Sequence, residues 1–450
     1  MSKQTYFEVV YKAPFKGFNT DLPENVIDAS YSPDLLNFIL KSGELRTRPK
    51  IYQFIPGPPD KYPINVITSF LDGNNVVHTV LETRTGLWQL NPFYKGPSGR
   101  VRKPAWNLIG NYPVQSGSGI PVSHVTFLNK FYWANGGNNL WVWDGITSVG
   151  TTAPWVKNTV ILKGTRISDS NGNLQIAINI GTTGSGAHPV WAAGIGQITT
   201  DNNIQWVNNG KPAPANGFLS TAVVDVTNGI TAGGFFLGEL NSRLLLLSTL
   251  EGKGGNFQNF AQRIRWSPSG ITSIWDANVN IGAGFSDELD VPDAITGFLT
   301  IGRTGFIFRV NGITEMVTSN LGQLPFSFDH LWASDRGIGN VYAFSIAGYG
   351  PVGCFISNEE IYELSLGGFK KIAGPALNQI FNDLSQSTST PVATILPYYS
   401  LNYIYPVYML CIPIGNDTKV WTYSLKDESW QPYFIHNAII TGRPRFVSTT

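Results

Sequence analysis

Sulfur and charge are both scarce in this chain. Cysteine occurs twice in 450 residues and methionine three times. The two thiols, Cys354 and Cys411, lie in the apolar stretches VGCFI and YMLCIPI, where a free cysteine behaves as a small core hydrophobe. Two Cys and five scattered His form no zinc-ligand spacing, so neither a metal site nor a cofactor is expected. Charged residues make up 14% of the chain, and 31 basic residues stand against 30 acidic ones, a net +1. A protein that grips nucleic acid through its phosphates carries a basic surplus, so this balance argues against tight, non-specific DNA binding. It leaves room for a neutral surface past which DNA merely moves. Long apolar runs are missing too. No stretch reaches the ~18 residues of a membrane span, and the N-terminal MSKQTYFEVVYK lacks the apolar centre of a signal peptide. A soluble chain made in a cytoplasm, with no membrane partner, is therefore expected.

Helical periodicity is nearly absent. Two short candidates stand out: Ser32 to Ile39, and GPALNQIFNDLSQ from Gly374 to Gln386, whose Ala376, Ile380 and Leu384 share one face. What is plentiful is glycine (48), proline (28) and aromatic residues (13%). That mixture suits short strands joined by tight turns, because Gly and Pro set turn geometry and aromatic rings fit a pleated surface.

A loose repeat runs through the strands. GLWQLNP (Gly86 to Pro92), NLWVWDGIT (Asn139 to Thr147), RIRWSPSGIT (Arg263 to Thr272), GFIFRVNGIT (Gly305 to Thr314), EIYELSLGGF (Glu360 to Phe369) and KVWTYSLKDESW (Lys419 to Trp430) each alternate apolar and aromatic residues before a polar or Gly turn. Most follow another apolar strand. A period of about 40 to 60 residues built from four short strands is the mark of a propeller blade. The expected fold is all-β, a β-propeller of about six blades, whose repeated aromatics fill the space between neighbouring blades.

One gap in the repeat is too long, between Trp143 and Trp266. It holds a segment rich in Asn, Gly, Thr and Ser, in which Asn171-Gly172 between alternating runs signals a hairpin. The expected organisation is an N-terminal arm and docking segment (1–50), a first propeller part (51–153), a small inserted β-sandwich-like domain (154–213) and a second propeller part (214–450). In so small a domain Trp155, Trp191 and Trp206 are expected to form a minimal core.

Catalytic patterns are lacking. There is no phosphate-binding Gly loop, no GxSxG and no HExxH. His78, His124, His188, His330 and His436 have no sequence-local partner. A glycosidase needs two carboxylates facing each other across the sugar, and no spacing selects a pair among Asp276, Asp287, Glu288, Asp290, Asp293 and Asp335. DELDVPD (Asp287 to Asp293) reads as a solvated turn sooner than a calcium loop. No enzyme is expected.

Two resemblances add to this reading. APFKGFNTDLPENVID, SPDLLNFILKSGELRTRP and RIRWSPSGITSIWD resemble head-to-tail connector proteins of tailed bacteriophages, of the nozzle or packaged-DNA-stabilisation type. Lys50 stands where that family often has Gly. The inserted segment, with DSNGNLQ (Asp169 to Gln175), GTTGS (Gly181 to Ser185) and Pro189-x-Trp191, resembles a small carbohydrate-binding-like module of phage virion proteins. The first resemblance implies a structural virion protein at the head-to-tail interface. It would assemble in the host cytoplasm as a ring of self-associated subunits, a homohexamer, that encloses the DNA channel. Its partners would be portal-side adaptors, tail fibre, spike or needle proteins, and genomic DNA passing through without sequence readout. LLNFIL would be the first strand or short helix docked on the ring, Gly43 would make the turn, and Arg46 and Arg48 would meet a neighbouring subunit or the adaptor, or stay solvated on an edge strand. The loop SQSTSTPVAT (Ser385 to Thr394) is a candidate gate. The second resemblance implies a different role, a glycan-binding adsorption protein that uses Trp155, Trp191 and Trp206.

Overall fold

The computed structural model describes residues from 57 to 440 with breaks, the longer ones at 92–104, 112–121, 146–154 and 209–221; four short strands between residues 17 and 47 precede them as backbone. The described residues are largely β-sheet. Among the described residues, six antiparallel sheets of three or more strands have their strands in chain order.

Sheet I comprises Ile64–Leu71, Val77–Thr83, Gly86–Asn91 and Ala105–Asn111. Sheet II has Ser123–Phe127, Lys130–Ala134 and Trp141–Trp143. Sheet III has five strands, Val223–Asp225, Ile230–Leu240, Arg243–Lys253, Asn256–Trp266 and Gly284–Asp287. Sheet IV has Ile295–Ile301, Thr304–Arg309, Ile313–Thr318 and Phe326–His330. Sheet V has Ala347–Tyr349, Val352–Ile356, Ile361–Ser365 and Gly368–Lys371. Sheet VI has Val392–Ser400, Tyr403–Ile414, Asp417–Ser424 and Ser429–Ile435.

Two compact units divide the chain. One contains residues 53–338 with 441–450 and therefore sheets I to IV; the other contains 1–52 with 339–440 and sheets V and VI. In the first unit, the period-two geometry of strands explains how sheet II serves two neighbours. Phe131 pairs with Trp143 and Tyr132 with Val142, so these two pairs point to opposite faces. Phe131, Trp133 and Trp143 pack with Val66, Phe70, Val80 and Leu87 of sheet I. Tyr132, Ala134 and Val142 pack with Ala232, Leu237, Leu244 and Leu246 of sheet III. Each large side chain buried in this way contributes roughly 1.5–3 kcal/mol. Trp143, one of the repeated aromatic residues, thus lies between sheets I and II.

Sheet I is closed at one end by an aspartate-clamped turn. Asp72 Oδ1 accepts the N–H groups of Asn74 and Val76, and Asp72 Oδ2 lies 2.9 Å from His78 Nε2. The His78 ring is buried edge-on against Trp143. His78, which has no sequence-local motif, is in this way a structural residue.

In the second unit, the expected helix forms as a 3-10 turn Gly374–Ala376 followed by an α-helix Leu377–Ser385. Its Ile380 and Leu384 join a core with Cys354, Leu410, Ile412 and Trp421. Asp383, one residue before Leu384, is buried and accepts Trp421 Nε1 and Lys419 Nζ, both at 2.7 Å. Cys354 and Cys411 are free and buried. The segment after the helix, read as a candidate gate, is tied down at Thr388, whose N–H donates to the Pro413 carbonyl.

The other helix candidate is corrected. Ser32 belongs to a short strand, Tyr31–Ser32, and Phe38–Lys41 is a strand that pairs antiparallel with Glu44–Thr47. The pairing that decides this lies outside the Ser32–Ile39 window, so helical spacing inside the window cannot detect it. Arg46 falls in the second strand opposite Ile39; Arg48 and Gly43 lie outside the described residues.

Candidate functional site

The inserted segment builds its own small sheet. Arg166–Ser168, Leu174–Ala177, Ile204–Asn208 and Ile198–Asp201 lie side by side in that order, and a two-stranded ribbon pairs Val160–Ile161 with Gly181–Thr182. The hairpin expected at Asn171-Gly172 is present. Gly172 takes φ +77°, a left-handed conformation that glycine adopts at no steric cost. Asp169 holds the turn as Asp72 does in sheet I. Its Oδ1 accepts the N–H groups of Asn171 and Asn173 at 2.8 Å, and its Oδ2 accepts Gln175 Nε2 at 2.7 Å.

Ile161, Ile167, Ala177, Ile204, Trp191 and Trp206 form the core of this module, with Trp155 packed against it. Trp206 is fully buried and Trp191 is 6% exposed; their rings meet edge-on at 6.1 Å. Their rings therefore serve the module's interior. Trp155 is different. It is half-buried, and its Nε1 donates to Asp201 Oδ2 at 2.7 Å. The other carboxylate oxygen of Asp201 accepts the Gly184 N–H at 2.8 Å. One buried aspartate thus fixes both the indole and the start of the loop Gly184 to Val190.

That loop borders Trp155. His188 is exposed, and its ring lies edge-on to Trp155 with centroids 6.4 Å apart. Its Nδ1 lies 3.0 Å from the Pro189 carbonyl. Val190 is 95% exposed. Between residues 155 and 208 the sequence holds only five charged residues: Lys157, Lys163, Arg166, Asp169 and Asp201. Both aspartates are buried in hydrogen bonds, so the surface around Trp155 is aromatic, amide-rich and weakly charged. Asp201 lies 46 residues from Trp155, and no sequence spacing couples them. His188 was visible only as an isolated histidine.

The carboxylates considered for catalysis are dispersed. Asp287 forms a two-bond ion pair with Arg263 Nε and Nη2. Asp276 is buried. Asp293 accepts the Asn311 N–H. Glu288, Asp290 and Asp335 lie outside the described residues. The most concentrated charge cluster is on sheet III. There Glu251 is held by two bonds from Arg265, at 2.7 Å each, and one from Arg263. Phe285 carries both guanidinium groups on its ring. Opposite charges cancel in this network, which acts as a clamp across three strands. Among the described residues, no group of three or more His, Cys, Asp or Glu is placed to hold a metal ion.

No protein-family model matches the chain, and no curated protein sequence does. Among solved structures the chain is similar to a point mutant of the NanB sialidase from Streptococcus pneumoniae, with 10% identity, 86% of this chain and 63% of that one covered, and a TM-score of 0.28. It is also similar to the N-terminal domain of Nup159, with 9% identity, 86% and 66% covered, and a TM-score of 0.24. A second NanB structure, with optactamide, has 10% identity, 88% and 64% covered, and a TM-score of 0.28. The chain spans about two thirds of the length of these proteins. At such identities and scores the likeness concerns the β-sheet fold and assigns no activity.

These neighbours are sialidase and nucleoporin domains, not phage connectors. The expectation of a phage head-to-tail connector is corrected on that finding, together with the virion location and the structural role around a DNA channel. The resemblance is one of short patterns spread along nearly the whole chain, and short patterns report local geometry. The expectation of a non-enzyme is corrected as well: two of the solved structures are of a sialidase, and that likeness neither assigns nor excludes an activity here.

Proposed function

We propose that this chain is a glycan-binding protein in which a β-propeller-type body presents the module around residues 155–208 as the sugar-recognising surface. One observation carries the reading: Trp155 is half-buried, and its indole N–H is already engaged by Asp201. An indole held in this way offers its ring to a ligand at little entropic cost, because its orientation is set before binding. A pyranose has an apolar C–H face that suits an aromatic ring, and its hydroxyls suit the amides and hydroxyls of the surrounding turns. The scarcity of charge near Trp155 supports a neutral ligand over a phosphorylated or strongly anionic one. Of the three tryptophans considered at the outset, Trp155 takes the stacking role. Trp191 and Trp206 hold the shape of the module.

The same reading takes the six successive sheets as six propeller blades, the number expected from the sequence repeat. The function is tested on a glycan array with the purified chain and Trp155→Ala. Binding to a defined set of glycans that the substitution removes supports the reading. An array on which the unaltered chain binds nothing overturns it.

A further inference from the structure

We infer that His188 is the hydrogen-bonding specificity residue of this surface and that it selects neutral pyranosides over acidic ones. This rests on the glycan-binding reading above. His188 Nδ1 lies 3.0 Å from the Pro189 carbonyl oxygen. A carbonyl oxygen can only accept, so in the neutral imidazole the proton sits on Nδ1. Nε2 then carries a bare lone pair. It can accept a hydrogen bond and cannot donate one.

Position makes that lone pair useful. His188 is exposed, and its ring lies 6.4 Å from the Trp155 ring, edge-on. A sugar stacked on the indole therefore extends to the imidazole. Trp155 itself has no polar group left to offer, since its N–H is taken by Asp201, and the two oxygens of Asp201 are occupied by Trp155 and Gly184. Among Trp155, Asp201 and His188 the polar contact left for a ligand is Nε2. A hydroxyl can donate to it. A carboxylate on the same carbon cannot, and would set acceptor against acceptor. The nearby cation in sequence is Lys157, exposed and two residues from Trp155. It carries a flexible point charge with no fixed geometry, whereas firm recognition of a carboxylate uses a pre-organised fork.

The test uses the full chain and a matched pair of probes, methyl β-glucoside and methyl β-glucuronide, which differ in carrying a hydroxymethyl or a carboxylate. Methyl β-galactoside serves as a second neutral probe. Binding is titrated by tryptophan fluorescence for the unaltered chain, Trp155→Ala, His188→Phe, His188→Gln and Lys157→Gln. The neutral glycosides are expected to bind about tenfold more tightly than the glucuronide, the size of one hydrogen bond gained or lost. His188→Phe keeps an aromatic edge beside Trp155 but has no acceptor. It should weaken neutral binding about five- to tenfold and erase the preference. His188→Gln restores an acceptor and should stay within about threefold of the unaltered chain. Lys157→Gln should leave the preference unchanged.

If His188→Phe binds and discriminates like the unaltered chain while Trp155→Ala does not bind, this inference is overturned and the glycan reading stands. If none of the probes binds, or if Trp155→Ala binds as well as the unaltered chain, the reading of this surface falls and the inference falls with it.

Discussion

Asp201 Oδ2 accepts the indole N–H of Trp155 at 2.7 Å while Asp201 Oδ1 accepts the backbone N–H of Gly184 at 2.8 Å. Asp201 is thereby the hinge pin between the half-buried ring and the loop that leads to His188. Replacing it with alanine leaves two donors without a partner in a largely buried position, at a cost of about 1–3 kcal/mol. Asp201→Ala is expected to lower the melting temperature and to lose sugar binding even though Trp155 is intact. Asp201→Asn keeps one acceptor oxygen and should retain more of both. Parallel melts and fluorescence titrations read the two effects separately.

Trp206 and Trp191 call for a different expectation. Both belong to the module's core, and truncating a buried tryptophan costs about 3–5 kcal/mol. Trp206→Ala should abolish binding by unfolding the module, with a matching loss of protection in hydrogen exchange across Leu174–Ala177. Trp155→Ala should abolish binding with that protection intact. Equal protection in both variants would contradict the division of roles.

The two clamped turns allow a swap. In sheet I the residue six places after the aspartate is His78; in the module it is Gln175, and each bonds the aspartate's second oxygen. His78→Gln should therefore be far better tolerated than His78→Leu, which leaves Asp72 Oδ2 facing an apolar group. A difference of about 1–2 kcal/mol in urea unfolding is expected. Equal losses would mean that packing of the His78 ring on Phe70 and Trp143 outweighs the hydrogen bond.

Two buried glutamates should respond to pH with opposite signs. Burial pushes the Glu82 carboxyl well above its ordinary value of 4.5, against a smaller downward pull from Asn65. Its folded form prefers the proton, so it lowers stability increasingly as pH rises above 4.5, by about 1.4 kcal/mol per pH unit until its folded pKa is reached. Burial also raises Glu251, but Arg265 and Arg263 overcome that and hold it below 4.5. Its contribution is present above 4.5 and is lost as pH falls through the lowered value. Glu82→Gln should accordingly stabilise the protein at pH 7 and change little at pH 4, whereas Glu251→Gln should destabilise it at pH 7. Urea unfolding of both variants at the two pH values gives the slopes, and slopes of the same sign would refute this assignment.

A fifth prediction probes the packing of sheets III and IV. The ring of Phe298 on sheet IV lies where a Cβ on Gly305 would be 2.8 Å away, and it also crowds Gly238 on sheet III. Gly238→Ala forces the ring or the strand to move, and overpacking of this kind costs about 1–3 kcal/mol. The second substitution Phe298→Leu should recover part of that loss; a melt of the double variant decides it.

Much of the architecture was legible in the residues. The apolar and aromatic run in NLWVWDGIT marks a strand, and the structure shows that sheet II has two buried faces, with Phe131 and Tyr132 packed against different neighbours. The module's hairpin was legible in Asn171-Gly172, because left-handed backbone demands such residues. The helix around Ile380 was legible because its apolar spacing is local. Strand and helix both remained open for the stretch at Phe38–Lys41 because its partner, Glu44–Thr47, lies beyond that window. The connector resemblance was misread for a related reason: short turn motifs report local geometry, which unrelated β-sheet proteins share.

The sequence by itself determined the class of the chain, its strand periodicity and the presence of an unusual neutral segment, since each follows from composition or from contacts between near neighbours. Only the tertiary structure decided which tryptophan has a face to offer. Trp155 is joined to Asp201 across 46 residues, and Trp191 is turned inward against Trp206. Burial is a property of how distant strands meet, so three identical side chains in one short segment can be told apart only after the chain has folded around two of them.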